Sequence, residues 1–355
     1  MSEFSARLIA WQRAHGRHDL PWQGTRDPYR IWLSEIMLQQ TQVATVIPYY
    51  ARFLEHFPDV ATLAAAPVEE VMALWSGLGY YARARNLHRA ACVVQEEHGG
   101  HFPVTAEALS KLPGIGRSTA AAIAAFASNE RAAILDGNVK RVLCRHFGIE
   151  GFPGERAVEE RLWALAESLL PESAEDIGIY IQAQMDLGAT LCTRVRPACE
   201  ACPLAAQCVA RASGRVAELP AARVRKALPH RTARMAVVVL GNSVLLERRP
   251  PAGIWGGLLA LPEIPEGIQV DAWAMRNLGI GLGHVRVLPL LVHVFTHFTL
   301  DIVPWRIDLP AAPRTLSEPA WQWLALDQIG SAALPTPVRK ILKGLIERMH
   351  QQAGE

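Results

Sequence analysis

Apolar residues recur at helical spacing through roughly the first 210 residues of the chain. The turn Asp27-Pro28-Tyr29 carries the start signals of one long helix, which Pro48 interrupts or ends. We therefore predict that the first half is entirely helical. The predicted helices have their apolar positions at Phe4–Trp11, Ile31–Ile47, Leu87–Val94, Thr119–Ala127 and Val139–His146.

The pattern changes after a segment, 215–231, that contains two prolines and shows no clear periodicity. Two short apolar runs then flank Gly241-Asn242, as in a β-hairpin. The strands expected here are Met235–Leu240, Val244–Glu247, Leu288–Val294, Phe295–Val303 and Trp305–Asp308, with helices over Asp271–Leu278 and Val338–Met349. The sequence therefore predicts an all-α domain over 1–213, a basic linker over 214–232 and a smaller α+β domain over 233–355.

Composition is typical of a folded chain with two domains, because the 355 residues are 50% hydrophobic and 20% charged. The formal net charge of +2 is too small to indicate nucleic acid by itself. The stretch from Arg211 to Arg234 is strongly basic and could follow a phosphate backbone or form a solvated linker. We find no signal peptide and no apolar run of membrane-spanning length, so we expect a cytoplasmic protein with no membrane partner.

Four of the six cysteines lie close together, at Cys192, Cys199, Cys202 and Cys208. Thiolates at this C-x6-C-x2-C-x5-C spacing can surround one metal centre, whereas disulfides are rare in a reducing compartment. Zinc is the plainest occupant, although zinc sites with four cysteines more often use two C-x2-C pairs. The spacing therefore predicts a metal centre.

The segment Leu112–Thr119 holds Gly114 and Gly116 on either side of one apolar residue, which predicts a tight hairpin between helices. Without Cβ atoms, these glycines can take unusual φ values and let another backbone approach closely. The free amides of the hairpin and of the following helix would form a site for a phosphate. Asp136 then stands where a further helix starts. An ordinary connection between helices is the alternative interpretation.

The hairpin with an aspartate downstream resembles the helix-hairpin-helix superfamily of base-excision DNA glycosylases, and longer motifs resemble MutY-type adenine DNA glycosylases. The cysteine spacing is similar to the iron–sulfur loop of the endonuclease III superfamily, so the resemblance implies one [4Fe-4S] cluster on the four cysteines. The motifs that carry the resemblance are Leu20–Gln23, Ser34–Val43, Gly77–Asn86, Ile134–Val142 and Gln182–Gly188.

Excision of adenine needs protonation of a poor leaving group and stabilisation of an oxocarbenium-like sugar, and two carboxylates in different environments can share that work. Glu35 lies in an apolar helix, where burial would raise its pKa and keep it protonated as a general acid. Asp136, at a helix start, is expected to stay ionised. The resemblance implies that Glu35 protonates adenine N7, that Asp136 stabilises the sugar cation, and that Asn138 positions the catalytic groups and water.

The resemblance also assigns contacts with the DNA. Leu20, Trp22 and Gln182 would form the adenine pocket, and an amide such as Gln182 can both donate to and accept from the edge of adenine. Gln40 and Tyr80 would enter the double helix near the lesion that faces the adenine.

One position separates two branches of the superfamily. Ser118 stands where bifunctional relatives carry a lysine that forms a Schiff base, so we predict a monofunctional glycosylase. Lys140 is a conceivable substitute nucleophile, but it is better suited to contact DNA or its own helix surface. The other DNA contacts expected in this half are Gly114, Gly116, Arg83 and Arg85, with Ser118 beside them.

The segment Gly253–Glu263 resembles a Nudix fold, but the helix that follows, Asp271–Leu278, lacks the glutamates that would bind a divalent metal. Hydrolysis of a pyrophosphate is therefore not expected. The resemblance implies instead a domain that recognises 8-oxoguanine opposite adenine. Phe295, Thr296 and His297 match a Phe-Ser-His loop that touches the oxidised base, with a threonine hydroxyl and an added methyl in place of serine.

We therefore expect a monomeric adenine glycosylase that acts on double-stranded DNA with adenine opposite 8-oxoguanine or guanine. Three rivals are weighed against it. A thymine-glycol-type glycosylase/lyase conflicts with Ser118, and a nucleotide pyrophosphatase conflicts with the missing acidic helix. A catalytically silent DNA-binding protein conflicts with the presence of both Glu35 and Asp136.

Overall fold

The computed structural model describes residues 2–223, 227–250, 253–279, 284–313, 318 and 320–353. It contains two compact units, the first formed by 1–65 with 86–225 and the second by 66–85 with 226–355. Arg225 and Lys226 of the predicted basic linker lie outside the described residues. Among the described residues, no helix is long and apolar enough to cross a membrane.

The first unit is helical, as predicted, and encloses an apolar core in which Leu8, Val139 and Leu143 have no exposed surface. The helices of the first 225 residues are α1 (Glu3–His15), α2 (Pro28–Leu38), α3 (Val43–His56), α4 (Val60–Ala65), α5 (Val68–Trp75), α6 (Ala82–His98), α7 (Ala106–Leu109), α8 (Arg117–Ser128), α9 (Gly137–Phe147), α10 (Arg156–Ser168), α11 (Ile177–Asp186) and α12 (Val209–Ala212). Helix α5 and the start of α6 belong to the second unit.

The single long helix predicted from Ile31 to Ile47 is wrong, because the chain breaks between α2 and α3. Gln40 lies in this break with a left-handed φ of 56°, a conformation that a helix cannot include. Asp27 caps α2 as expected, since its side chain accepts from the amide of Tyr29 at 2.9 Å. Apolar spacing continues on both sides of the break, so periodicity alone did not reveal it.

The predicted hairpin connects α7 to α8. Gly114 has a φ of 79°, and a Cβ atom built there would lie 2.7 Å from the Cβ atom of Asn86, so only glycine fits. Gly116 caps α8 with extended backbone, has open space around its Cβ position and leaves the first amides of α8 without a side-chain cap. The two glycines therefore have different structural roles. Gly114 allows the left-handed conformation of the turn, and Gly116 leaves the start of α8 accessible.

The second unit contains one mixed sheet of eight strands in the order β3-β2-β1-β7-β5, with β4 on β1, β6 on β7 and β8 on β2. The strands are β1 (His230–Leu240), β2 (Ser243–Arg248), β3 (Leu259–Ala260), β4 (Glu263–Ile264), β5 (Val285–Val287), β6 (Leu291–Val294), β7 (Thr299–Asp308) and β8 (Trp321–Ala325). In the described part of 226–355, the helices beside these strands are α13 (Val270–Leu278) and α14 (Thr336–Ala353).

Strand β1 is the centre of this sheet, because it pairs with β7 in parallel over its length and with β2 through the turn at Gly241-Asn242. Its side chains alternate between two apolar clusters. Val237 and Val239 share one cluster with residues of α14, while Ala236 and Val238 share the other with residues of α13. The sheet is thus covered by a helix on each face, and the predicted α+β class is confirmed.

Two details of the predicted strands are wrong. The strands expected at Phe295–Val303 and Trp305–Asp308 are one strand, β7, which begins only at Thr299. Phe295 to Phe298 form the turn that enters it, closed by a hydrogen bond from the amide of Phe295 to the carbonyl of Phe298 at 2.8 Å. Aromatic residues have high strand propensity, and this propensity concealed the turn.

The stretch 66–85 is tied into the second unit by polar contacts. The hydroxyl groups of Tyr81 and Ser76 donate to the carbonyl oxygen of Leu334 at 3.2 and 3.4 Å. The guanidinium of Arg85 donates to the carbonyl oxygen of Gly256 at 2.6 Å. Sequence periodicity does not report such contacts between residues more than 150 positions apart.

Candidate active site

Glu35 lines a cavity of about 480 Å³ that is formed by α1, α2, α11 and the loop before α2. Trp22 and Gln182, two of the predicted pocket residues, line the same cavity. Leu20 is not among the lining residues. Its amide instead donates to Gln23 Oε1 at 3.1 Å, and Gln23 lines the cavity. Three sequence-predicted residues are thus brought together around one space large enough for a purine.

The surroundings of Glu35 favour the protonated form of its carboxyl group. Burial raises its pKa to about 8, with a further contribution from the nearby Asp136. Ile31 and Trp32, one turn before Glu35 on the same face of α2, are almost fully buried, so this face of the helix has little water to stabilise a charge. The shift has the direction that the sequence predicted, and its cause is the predicted one.

Asp136 is the N-cap of α9, as expected. Its Oδ1 accepts from the amide of Val139 at 2.8 Å, and its Oδ2 lies 3.5 Å from Nδ2 of Asn138. Burial nevertheless raises the pKa of Asp136, and the amides of Val139 and Asn138 and the charge of Arg141 oppose this rise without cancelling it. We expected the start of α9 alone to keep Asp136 ionised, and this expectation did not include the effect of burial on its pKa.

Asp136 also lines a wide cavity of about 1050 Å³ together with Gln40 and Asn138. Its walls are basic. The cations on them are Lys140, Arg141, Arg145, Arg194 and Arg223. Such a concave surface of one sign attracts a polyanion. Arg141 links Asn138 to the segment at Cys192, since it donates to Asn138 Oδ1 at 2.8 Å and to the carbonyl oxygen of Cys192 at 2.8 Å.

The structure gives Ser118 and Lys140 partners within the protein. Ser118 Oγ accepts from the amide of Leu135 at 3.0 Å and so ties the start of α8 to the residue before Asp136. Lys140 Nζ lies 2.6 Å from a carboxylate oxygen of Glu159, with 21% of its side chain exposed. An amine that is engaged in an ion pair is not free to act as a nucleophile.

The four clustered cysteines line one small cavity of about 30 Å³, together with Arg145 and Arg211. Arg145 is buried, and its guanidinium donates to Cys192 Sγ at 3.4 Å and to the carbonyl oxygen of Thr193 at 2.7 Å. Four cysteine side chains around a common space, with cations beside them, fit a cysteine-ligated cluster. Among the described residues, no three or more His, Cys, Asp or Glu side chains are grouped so as to hold a single metal ion, so the cysteines do not have the arrangement of a mononuclear site.

Gln40 and Tyr80, the residues predicted to enter the DNA, are both exposed and both have left-handed backbones, with φ of 56° and 48°. Non-glycine residues adopt this conformation at a cost, and such strain is concentrated at functional sites. Tyr80 is supported from within its own unit, because the guanidinium of Arg83 lies 5.6 Å from its ring centre. Arg83 itself is buried and donates to the carbonyl of Leu78, so its predicted role as a phosphate contact is wrong.

Thr296 and His297 are exposed at the tip of the turn between β6 and β7. Phe295 anchors the turn by stacking on Phe298 at 4.6 Å and packing against Trp255 at 5.9 Å. The turn therefore exposes the hydroxyl group of Thr296 and the imidazole of His297, and the packed ring of Phe295 holds the turn in place.

Sequence reasoning missed a buried polar network beside the Glu35 cavity. Gln12, Arg17 and Gln182 all donate to the carboxyl group of Asp186, which is 1% exposed. Two features of the sequence could have indicated this network. One is a polar residue, Gln12, at an apolar position of α1, and the other is Asp186, in the motif that begins with Gln182. Neither could be interpreted without knowing that α1 and α11 lie side by side.

The helical hairpin, the two carboxyl groups and the helix-covered sheet together define a base-excision DNA glycosylase with a Nudix-like domain. Residues 33–168 match the family described as HhH-GPD superfamily base excision DNA repair protein, and residues 234–344 match the NUDIX domain. Adenine DNA glycosylase of Buchnera aphidicola subsp. Acyrthosiphon pisum (strain APS) is 36% identical over 341 residues, which are 96% of this chain and 97% of that protein. The Homo sapiens adenine DNA glycosylase is 36% identical over 97% of this chain and 74% of its own length.

Solved structures share the fold of the helical part of the chain. A thermostable thymine-DNA glycosylase is 31% identical, with a TM-score of 0.53 over 59% of this chain and 95% of that one. An endonuclease III in a non-covalent DNA complex has the same fold, with 23% identity, a TM-score of 0.50 and coverage of 59% of this chain and 94% of that one. The chain belongs to the adenine DNA glycosylase family, enzymes of base-excision repair that hydrolyse the N-glycosidic bond of adenine in DNA.

Proposed function

We propose that this enzyme flips and excises adenine that is mispaired with 8-oxoguanine, or less strictly with guanine, by hydrolysis and without a strand-cleaving step. The observation that carries the proposal is the position of Glu35, which lines a purine-sized cavity with Trp22 and Gln182 and has Asp136 close by. An acid and a second carboxyl group on either side of one glycosidic bond are what the reaction needs.

In this reaction Glu35 donates its proton to N7 of the extruded adenine, which turns the base into a neutral leaving group. Asp136 stabilises the positive charge that develops on the sugar as the bond breaks. Glu35, now ionised, accepts a proton from the water that attacks the anomeric carbon. Asn138, between Asp136 and Arg141, holds the aspartate in place through its own amide group.

The absence of a lyase step is inferred from two side chains. Ser118 cannot form an imine, and its hydroxyl group accepts a hydrogen bond from the backbone. Lys140 Nζ is ion-paired with Glu159. A Schiff base needs a free amine that reaches the sugar, and this proposal assigns neither residue to that role.

Preference for 8-oxoguanine is inferred from the second unit. Its α13 carries one acid, Asp271, and no glutamate, so the Nudix-like fold serves recognition in this proposal. Thr296 and His297 would contact the oxidised base from the β6–β7 turn, and Gln40 and Tyr80 would fill the stack. Gly114, Gly116 and Ser118 belong to the hairpin that would receive the DNA backbone.

Three further parts complete the proposal. Cys192, Cys199, Cys202 and Cys208 would hold one [4Fe-4S] cluster, which would stabilise their loop beside the DNA-binding surface. The enzyme would act as a monomer. Its functional domains would be the helical part over 1–213 and the lesion-recognition part over 233–355, joined by 214–232.

A single assay tests the reaction. Duplexes with adenine opposite 8-oxoguanine are incubated with the enzyme and then divided into samples with and without alkali. We expect release of adenine and strand breaks only after alkali. Breaks without alkali would contradict the monofunctional assignment, while tight binding without release would favour a silent DNA-binding protein. A preparation without absorbance near ~400 nm, where cysteine-ligated iron–sulfur centres absorb, would contradict the cluster.

A further inference from the structure

Asp186, at the last residue of α11, is a buried carboxylate that receives five hydrogen bonds. Its Oδ2 accepts from Gln12 Nε2 at 3.0 Å and from the backbone amide of Arg17 at 2.9 Å. Its Oδ1 accepts from the guanidinium of Arg17, with Nε at 2.8 Å, and from Gln182 Nε2 at 2.9 Å. With only 1% of its surface exposed, no water competes for these oxygens.

This network decides which end of the Gln182 amide faces the cavity. A carboxylate paired with arginine can only accept hydrogen bonds, so Gln182 must turn its NH2 group toward Asp186. The carbonyl oxygen of the same amide is then the end left for a ligand. Because Gln182 lines the Glu35 cavity, its carbonyl oxygen is the acceptor that this wall offers to a ligand.

The other members of the network prevent the carboxylate from moving. Arg17 grips Asp186 through its side chain and its backbone at the same time. Gly16 leaves room for the side chain of Gln12, because a Cβ atom at Gly16 would lie 2.1 Å from Gln12 Nε2. The acceptor that orients Gln182 is therefore fixed from α1 and from the loop after it, and not only from its own helix.

We propose that Asp186 is a positioning residue that locks Gln182 with its carbonyl oxygen toward the base, so that the pocket selects a 6-amino purine and rejects a 6-oxo purine. The inference rests on the proposed excision of adenine from this cavity. A 6-amino group donates to the carbonyl oxygen of Gln182. A 6-oxo group would place two acceptors against each other in a site with little water, which is unfavourable. An unlocked amide could rotate and serve either base.

The test compares duplexes with adenine or hypoxanthine, each opposite 8-oxoguanine, under single-turnover conditions. We expect the wild type to release adenine roughly 5- to 160-fold faster than hypoxanthine, the range that one lost and one unsatisfied hydrogen bond provides. Asp186→Ala frees the amide of Gln182, so the ratio should fall toward one. The matched control is Asp176→Ala, which removes an aspartate that pairs with Arg13 of α1 at the other end of α11. Its ratio should equal that of the wild type.

A purely structural role for Asp186 would lower both rates equally and keep the ratio, and this result would overturn the proposal. Thermal unfolding monitors the fold of each variant. Gln182→Met keeps Asp186 and its other four hydrogen bonds, so it remains informative if Asp186→Ala does not fold. A wild-type ratio in Gln182→Met would also overturn the proposal. If the wild type releases neither base, the proposed function itself has failed.

Discussion

Glu35 shows how one residue connects stability with chemistry. Its carboxyl group needs a proton to act as an acid, and burial provides this by making the ionised form unfavourable. The same burial makes the folded state less stable whenever the proton is lost. Activity and stability should therefore respond to pH through this one group.

The first prediction concerns Glu35→Gln. The folded-state pKa is raised from its ordinary value of 4.5 to about 8, so the stabilisation linked to the bound proton is complete below pH 4.5 and is lost as the pH rises through about 8. The neutral amide does not titrate. We expect equal melting temperatures near pH 5 and a melting temperature higher in the variant by about 5 °C or more near pH 9. A difference that does not change with pH would contradict the burial argument.

The second prediction follows the same proton in the assay. In the free wild-type enzyme, the rate of adenine release at low substrate should fall as the pH rises through about 8, because the acid is then ionised. Below about pH 8, where the wild type holds this proton, Glu35→Gln should lose activity by at least ~100-fold and keep its affinity for the duplex. Gel-shift titration separates binding from cleavage. A variant that cleaves at more than a tenth of the wild-type rate would remove Glu35 from the role of acid.

At the scale of elements, the helix-hairpin-helix contains two glycines that look alike in sequence and differ in structure. Gly114 has a positive φ and a close neighbour, whereas Gly116 has ordinary extended backbone and open space. Only the first is required for the fold. In the proposed function, the open space at Gly116 would admit a phosphate of the DNA backbone.

The third prediction compares alanine at the two positions. Gly114→Ala should destabilise the protein by about 1 to 3 kcal/mol, because φ is left-handed and the new Cβ atom meets Asn86. Gly116→Ala should change stability by less than about 0.5 kcal/mol and still weaken DNA binding several-fold. Thermal unfolding and duplex titration of both variants provide the measurements. The opposite assignment of the two effects would refute this division of roles.

The helical character of the first unit and four of the eight described strands could be predicted from sequence, because apolar periodicity reports which side of an element is buried. The motifs that carry Glu35 and Asp136 were equally visible, because they are local. The rest depended on contacts between distant segments. Packing between distant segments determines three features that a periodic pattern does not report. They are the left-handed break at Gln40, the burial of Arg83 and the hydrogen-bond network at Asp186.

At the scale of the whole molecule, the proposed function divides two kinds of recognition between the two units. The first unit holds the carboxyl groups and the purine-sized cavity, and the second holds the β6–β7 turn. This separation makes discrimination between opposing bases measurable apart from catalysis.

The fourth prediction uses that separation. His297→Ala removes an exposed imidazole from the tip of the turn, so the melting temperature should stay within the error of measurement. The ratio of rates for adenine opposite 8-oxoguanine over adenine opposite guanine should fall by about 5-fold or more. His284→Ala, an exposed histidine before β5, is the matched control and should leave this ratio unchanged. An equal effect of both substitutions would argue against lesion reading by the turn.

The parallel pairing of β1 with β7 has a consequence for the growing polypeptide. During synthesis β1 emerges about 70 residues before β7, the strand that pairs with nearly its whole length. Strand β2 follows β1 directly and can pair with its end immediately. For that interval the apolar run from Met235 to Val239 has a hairpin partner on one side and an open edge on the other. Exposed edges of this kind recruit other chains. The interval before Thr299 is released is thus when the nascent chain is most exposed to aggregation.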